Sequence, residues 1–417
     1  MVSTFYPPFS FGGDGMHVYR LSNALARRGH AIDVFYCEDS YKMLNGKRPV
    51  SELPNHPNIS LRGLRSGMGF LSPLLTQQTG RPLLKGKLRK ALDRNAYDVI
   101  HYHNMSLIGI TALSLGPREA VKLYTTHEHW LVCPMHVLWK FNREVCEETE
   151  CLRCQLAGRR PPQLWRQTGL MRKMTEHVDR FLSPSRFTLR KHLEMGMEIP
   201  IEQMPYFLPE SPAFPNPDEP ARATSPYFLF VGRLEYIKGV QNLIPVFKDH
   251  PEHRLVIAGG GGYEETLREQ AAGIPNIEFL GPVDQERLKE LYTAATAVIV
   301  PSICYETFGI IIIEAFSFRT PVITNKLGAL PEVVEDSGGG IIYENEDELI
   351  AAIQRLAADP ELRDQLGEKG YDAYSRFWNE EAHLEKYLGL IDRLRIQKKE
   401  KTPEGQGTTT KHTHPFV

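Results

Sequence analysis

The stretch SICYETFGIIIIEAF, from Ser302 to Phe316, sets two carboxylates, Glu306 and Glu314, on either side of four isoleucines. A segment this apolar belongs in a core, and a carboxylate held beside a core needs a partner. It follows a strand-like run, TAVIVPS, and reads as a helix spanning Phe308 to Phe316. A helix N-terminus offers free backbone N–H groups and the positive end of a dipole, which suit a diphosphate. Eight helical residues rise about 12 Å, comparable to the reach from the sugar to the ribose of a nucleotide diphospho-sugar. Glu306 would then accept hydrogen bonds from sugar hydroxyls and Glu314 from ribose hydroxyls. A core helix with two incidental acids paired to arginines explains the same stretch, and the two readings stay open on it alone.

Two acids beside a diphosphate repel it unless cations intervene. VGRLEYIKGV supplies Arg233 and Lys238 directly after the strand-like YFLFVG, bracketed by Gly232 and Gly239. In an open parallel sheet ligands sit at the carboxyl ends of strands, where an arginine and a lysine can neutralise charge developing on a leaving phosphate. Two solvated loop cations are the plainer alternative. Gly12 and Gly13 form a loop before the first helix that lets the backbone approach a phosphate or a sugar closely. The surrounding GGDGMH lacks the G-x-G-x-x-G fingerprint, which disfavours a nicotinamide dinucleotide. His127 ends the strand-like KLYTT, and its neighbours Glu128 and His129 are equal candidates for acceptor-side groups.

Four of the six cysteines, Cys133, Cys146, Cys151 and Cys154, fall within one short stretch. A C-x2-C pair among reduced thiols suits a structural zinc site of thiolate geometry. Free buried thiols, a redox pair and an iron–sulfur cluster are the alternatives.

Alternating short apolar runs and helical stretches position these residues. MHVYRLSNALARRGH places Val18, Leu21 and Leu25 on one helical face, with Asp14 as the expected N-cap and Gly29 as the stop. AIDVFYC, YDVIHYHN, AVKLYTTHEH and HVDRFLSPS are strand-like in the first half. YFLFVG, HRLVIAGG, IEFLG, TAVIVPS, TPVITN and GGIIYE are strand-like in the second. Strands between helices at this spacing predict βαβ units and parallel sheets. At 417 residues two domains are expected. An N-terminal acceptor-side domain takes 1–208, a proline-rich linker 209–225, and a nucleotide-sugar domain 226–375. A C-terminal helix, 376–396, packs back toward the first domain, and a disordered polar tail takes 397–417. Only MVSTFY precedes the glycine loop, so the first strand is short and the natural chain is expected to extend upstream of Met1.

Hydrophobic residues make up 41% and charged residues 24%, as in folded globular proteins. A net charge of −2 gives no general pull toward nucleic acid. No apolar run approaches the roughly 20 residues that span a bilayer, and no leader is visible. Cytoplasmic residence, peripheral at the inner face of a membrane, is the expectation. Basic, amphipathic RPLLKGKLRKALDRNA, 81–96, either meets anionic lipid or is a solvated helix face.

FSFGGDGMHVYRLSNALARRGHAIDVF, VGRLEYIKGV, IAGGGG and PSICYETFGIIIIEAFSFRTPVI together resemble the family-four retaining glycosyltransferases of GT-B fold. The likeness covers nearly the whole chain except the tail, and the E-x7-E pattern of Glu306 and Glu314 is its most specific part. It implies two Rossmann-like doubly wound α/β domains facing across a cleft. It also implies that Glu306 contacts the donor sugar, Glu314 the ribose, and Arg233 with Lys238 the diphosphate. Gly13 approaches the phosphates and the acceptor, and His127 lies beside the sugar. Thr307 and the backbone amides of Phe308, Gly309 and Ile310 complete the donor site, and Val283 frames the base. A cysteine cluster like this one occurs in some relatives and pins an acceptor-side loop. The hinge departs from the family: QMPYFLPE stands where many relatives carry an Asn-Gly turn.

The resemblance implies polysaccharide biosynthesis: transfer from a nucleotide diphospho-sugar, with retention, to a growing or lipid-linked glycan. No cofactor is required, since no Asp-x-Asp motif is present to hold a metal. A nucleotide-sugar epimerase of the same fold and a non-catalytic sugar-nucleotide-binding subunit are the rival expectations.

Overall fold

Short runs of branched and aromatic residues become parallel strands here because helices cover both of their faces. The structure, a computed structural model, describes residues 1–10, 12–45, 53–209 and 226–401. The first half contains β1 (Val2–Ser3), β2 (Ile32–Cys37), β3 (Ile59–Leu64), β4 (Val99–Tyr102) and β5 (Val121–Thr125). A small antiparallel hairpin follows, β6 (Trp139–Lys140) with β7 (Glu144–Val145), and then β8 (Arg180–Ser183) and β9 (Ile201–Gln203). Apart from the hairpin these strands form one parallel sheet in the order β3-β2-β1-β4-β5-β8-β9.

The second half contains β10 (Phe228–Val231), β11 (Leu255–Ala258), β12 (Ile277–Gly281), β13 (Ala297–Val300), β14 (Val322–Asn325) and β15 (Gly340–Tyr343). They form a parallel sheet in the order β12-β11-β10-β13-β14-β15. Chain order reverses at β1/β4 in the first sheet and at β10/β13 in the second. Loops at the carboxyl ends of such strands diverge and open a crevice, which is where ligands bind in this class of sheet. β1 is only two residues long, yet it sits mid-sheet, pairing Val2 with both Phe35 and Tyr102.

The helix Gly13–Arg27 buries Val18, Leu21 and Leu25, the face expected from their spacing. It begins earlier than expected. Gly12, at φ 95°, takes the cap position, and Asp14 lies in the first turn, accepting from the Gly15 N–H at 2.8 Å. The C-terminal helix Glu380–Lys401 presses Leu384, Tyr387, Leu390, Ile391 and Leu394 onto Leu21, Leu123, Leu182 and Phe207 of the first half. It also overruns the tail assigned to 397–417. Residues 397–401 are helical, anchored where Lys398 Nζ donates to Ala120 O at 2.8 Å and Asp179 Oδ2 at 2.6 Å. Residues 402–417, and 210–225 of the proline-rich stretch, lie outside the described residues.

Candidate active site where the two sheets meet

The loops leaving β10 and β13 are locked together by a glycine. Gly239 has φ 78°, and a Cβ there would stand 1.9 Å from Pro301 O. The Ile303 N–H donates to Ile237 O at 3.0 Å across the same contact. Gly239→Ala must therefore push the two loops apart and adopt a strained backbone. It is expected to cost about 3 kcal/mol of stability and to shift the thermal unfolding midpoint down by several degrees.

This contact brings Lys238 to Glu306. Nζ of Lys238 donates to Glu306 Oε1 at 2.7 Å, and Ser302 Oγ donates to the same oxygen at 2.7 Å. Burial pushes the Glu306 carboxyl up, but the Lys238 charge and the two hydrogen bonds outweigh it, so the group stays below the usual carboxylate range. For Lys238, burial is the largest pull and acts downward, but the Glu306 charge, its hydrogen bond and Cys304 together outweigh it, so the ammonium is held above its ordinary value. Both groups are charged at neutral pH. Arg233, on the same loop, is exposed and donates to Glu235 Oε1 at 2.7 Å.

The helix after this loop starts at Ile310, not Phe308, with Gly309 at its cap in the left-handed region. Glu306 therefore sits in the loop and only Glu314 is helical, so the helical rise expected between the two acids does not apply. The apolar run still behaves as expected: Ile312, Ile313, Ala315 and Phe316 are fully buried, and Glu314 faces the other lobe. Glu314 Oε2 accepts from Tyr292 Oη at 3.0 Å, and its Oε1 lies 3.5 Å from a guanidinium nitrogen of Arg20 on the first-half helix. Each acid thus has a cation beside it, a lysine for Glu306 and an arginine for Glu314.

The first half meets this site at His127, just past β5. Thr307 Oγ1 donates to the His127 carbonyl at 3.1 Å, and Thr188 Oγ1 donates to Thr307 O at 3.2 Å. Both ring nitrogens of His127 are engaged: Nδ1 with Tyr206 Oη at 2.7 Å and Nε2 with His103 Nδ1 at 2.9 Å. Burial pushes its pKa down to about 3, so the ring is neutral at physiological pH and acts through position rather than charge. Phe308 is buried, its ring 5.4 Å from that of Tyr206. Glu128 bonds His136 Nδ1 at 2.6 Å, and His129 is buried against His192.

Gly12 and Gly13 are exposed, and a Cβ on Gly13 would meet nothing. Beside them, Asn104 Nδ2 donates to Asp14 Oδ2 at 2.8 Å. Burial raises the Asp14 carboxyl despite that bond. Gly232 closes β10 at φ 154°. Val283 follows β12 and packs against the core of the second half.

Sequence reasoning missed several partners. Ser302 opens the stretch that carries Glu306 but was passed over. Asp14 was read only as a cap. Tyr206 lies in QMPYFLPE, read only as the hinge, and Arg20 and Tyr292 carried no signal because only the folded chain brings them to Glu314. Cys133 and Cys154 are buried, Cys146 and Cys151 partly so, and all are free thiols. Among the described residues no group of three or more His, Cys, Asp or Glu side chains could hold a metal ion, so the zinc expectation gains no support.

Comparison with known proteins gives the following matches. Residues 11–205 match the family described as Glycosyltransferase Family 4, and residues 216–373 match Glycosyl transferases group 1. An uncharacterized glycosyltransferase of Methanocaldococcus jannaschii is 27% identical over 88% of this chain and 90% of its own. Glycogen synthase of Mycobacterium tuberculosis is 29% identical over 86% of each chain. Among solved structures, sucrose-phosphate synthase from Thermosynechococcus elongatus superposes with a TM-score of 0.71 at 22% identity, over 95% of this chain and 98% of that one. Anabaena HepE, solved with UDP-glucose, superposes with a TM-score of 0.62 at 16% identity, over 94% and 99%.

Proposed function

The chain belongs to the group 1 glycosyltransferases of two-domain GT-B architecture, and from that premise we propose that it transfers a sugar, with retention, from a nucleotide diphospho-sugar to a glycan or lipid-linked glycan. The observation that carries the proposal is the Lys238–Glu306 pair at the carboxyl ends of β10 and β13, beside the start of an apolar helix. An incoming diphosphate competes for Lys238 and frees Glu306 to accept hydrogen bonds from sugar hydroxyls. Arg233 adds a second cation at the mouth of the same loop. Gly12 and Gly13 leave open space opposite for the phosphates, and Glu314 takes the ribose. That HepE was solved with UDP-glucose supports a nucleotide-sugar donor.

In the step itself, the bond from the anomeric carbon to the phosphate oxygen breaks, and a bond to the acceptor oxygen forms on the same face. The acceptor proton passes to the departing diphosphate. Arg233 and Lys238 carry the charge-stabilising role that a metal serves elsewhere.

A panel of nucleotide sugars, with and without acceptor glycans, tests this through nucleoside diphosphate release. Release that depends on the acceptor, and survives EDTA, is expected. An interconverted sugar would indicate an epimerase instead, and binding without turnover a non-catalytic subunit. Glu314→Ala is expected to raise the donor KM about tenfold, the loss of roughly 1.4 kcal/mol of binding. An unchanged donor KM removes the ribose role.

A further inference from the structure

Two segments of the first half contain no aspartate or glutamate. Residues 53–92 carry seven arginines and lysines, and residues 151–175 carry six, in a chain whose net charge is −2. The two fold against each other. Trp165 Nε1 donates to Gln77 O at 3.0 Å, and Gln78 Nε2 to Pro161 O at 3.4 Å.

The helix Leu71–Thr79 within this region is turned inside out. It buries Ser72 and Thr76 while Leu71, Leu74 and Leu75, at helical spacings of three and four, face solvent. Phe70 (62% exposed), Leu83 (48%) and Leu164 (61%) extend the apolar surface. Around it stand Arg81, Lys87, Arg89, Lys90 and Lys173, all exposed. A contiguous apolar patch on a folded domain marks an interaction site.

We propose that this face docks the protein on an anionic lipid surface, with the outward leucines and Phe70 entering the headgroup boundary and the exposed cations around them meeting the lipid phosphates. A polyanion would use the cations but not the leucines. An apolar protein partner would use the leucines but would not need the exposed cations around them. An anionic bilayer uses both. Docking also bears on the acceptor. Arg166, between Trp130 and Trp165, donates to Trp130 O at 2.7 Å and Leu131 O at 3.2 Å, on the loop that follows His127. The loop beside the transfer site is thereby tied to the docked face, an arrangement suited to an acceptor carried by lipid. That last step rests on the transferase reading, whereas the docking does not.

The test is flotation of the full chain with vesicles of phosphatidylcholine, alone or mixed with phosphatidylglycerol. Binding to the anionic vesicles only, weakening as salt rises, is expected. Lys87→Glu with Lys90→Glu should weaken it roughly a hundredfold. Leu74→Ser with Leu75→Ser should weaken it about tenfold or more without lowering the unfolding midpoint. Phe377→Ser, on an exposed ring of the second half, should leave it unchanged. Equal binding to both vesicles, or none to either, overturns the proposal. So does full binding by the leucine variant, which would mean adsorption by charge alone. A dimer that forms through this face and excludes vesicles would assign it to a second copy instead. Nucleoside diphosphate release on a soluble acceptor, read on the same samples, separates the two claims: vesicle binding with no turnover would sink the transferase reading and spare the docking.

Discussion

Lys238→Ala is expected to lower kcat at least about a thousandfold, close to 4 kcal/mol of transition-state stabilisation. The residue has two roles in the proposed chemistry. Before the donor arrives it neutralises Glu306 through the 2.7 Å contact, and during transfer it meets the charge on the departing diphosphate. Removing it leaves Glu306 largely buried, with Ser302 Oγ as its remaining side-chain hydrogen bond among the described residues. A carboxylate in that position is costly, so the variant should also unfold more easily. The two roles separate in the double variant Lys238→Ala with Glu306→Gln. An amide at 306 carries no charge to strand, so the unfolding midpoint should return toward that of the parent protein while turnover stays lost. If the double variant regains turnover, Lys238 was only a counter-ion, and the leaving-group role falls. Lys238→Arg restores charge but not shape: a planar guanidinium delivers its donors in a fork rather than at a point, so only partial recovery is expected.

The second-half strands and their alternation with helices were legible because parallel strands buried on both faces read as short apolar runs, and β10, β11, β13 and β14 are such runs. Two helices of that half were not. Pro360–Ala373 carries Gly367 and Gly370, which look like breakers. A Cβ at 367 would stand 2.1 Å from Arg319 O, and one at 370 would stand 2.4 Å from the Phe316 ring, so these glycines serve close packing. The short helix Leu330–Ser337 has too few turns to display a period, yet its Glu332 receives the Arg186 N–H at 2.9 Å across the junction of the two halves.

At the site, residue types were legible and partnerships were not. Spacing announced that Glu306 and Glu314 were held for a purpose. It could not announce that Lys238, 68 positions away, lies against one, or that Arg20, 294 positions away, lies against the other. Those separations close only through the order of the strands. The error over where the helix begins has a local cause. Gly309 can cap a helix at a positive φ, and a run of isoleucines conceals which residue is the first to be helical.

Acidification is expected to unfold the protein cooperatively within about two pH units below the ordinary histidine pKa of ~6.5. Burial pushes His127 down to about 3, and His192 and His383 each to about 4. His17, His101 and His103 are likewise held well below the usual value, burial being the largest cause in each. A folded pKa below the unfolded one means the unfolded chain takes up protons first. The stabilisation is fully present above ~6.5 and is lost as pH falls toward the folded values. At about pH 5 each such histidine has forfeited roughly 2 kcal/mol, so His127, His192 and His383 alone forfeit about 6 kcal/mol, comparable to the whole stability of many folded domains. Unfolding midpoints measured across this range should fall steeply, and a flat profile would mean that the rings gain water when the folded chain meets acid. His383→Phe provides an internal check. That ring stacks on Phe207 at 4.4 Å and its Nδ1 lies 2.9 Å from Pro205 O, so a phenyl ring keeps the stack, loses one hydrogen bond and removes one proton site. The variant should be slightly less stable at neutral pH but should lose less stability per pH unit. The position of these rings adds a functional consequence. His127 bonds the Tyr206 hydroxyl and His383 Nδ1 donates to the Pro205 carbonyl, so the acid unfolding that protonates both rings also frees the crossing segment between the two sheets.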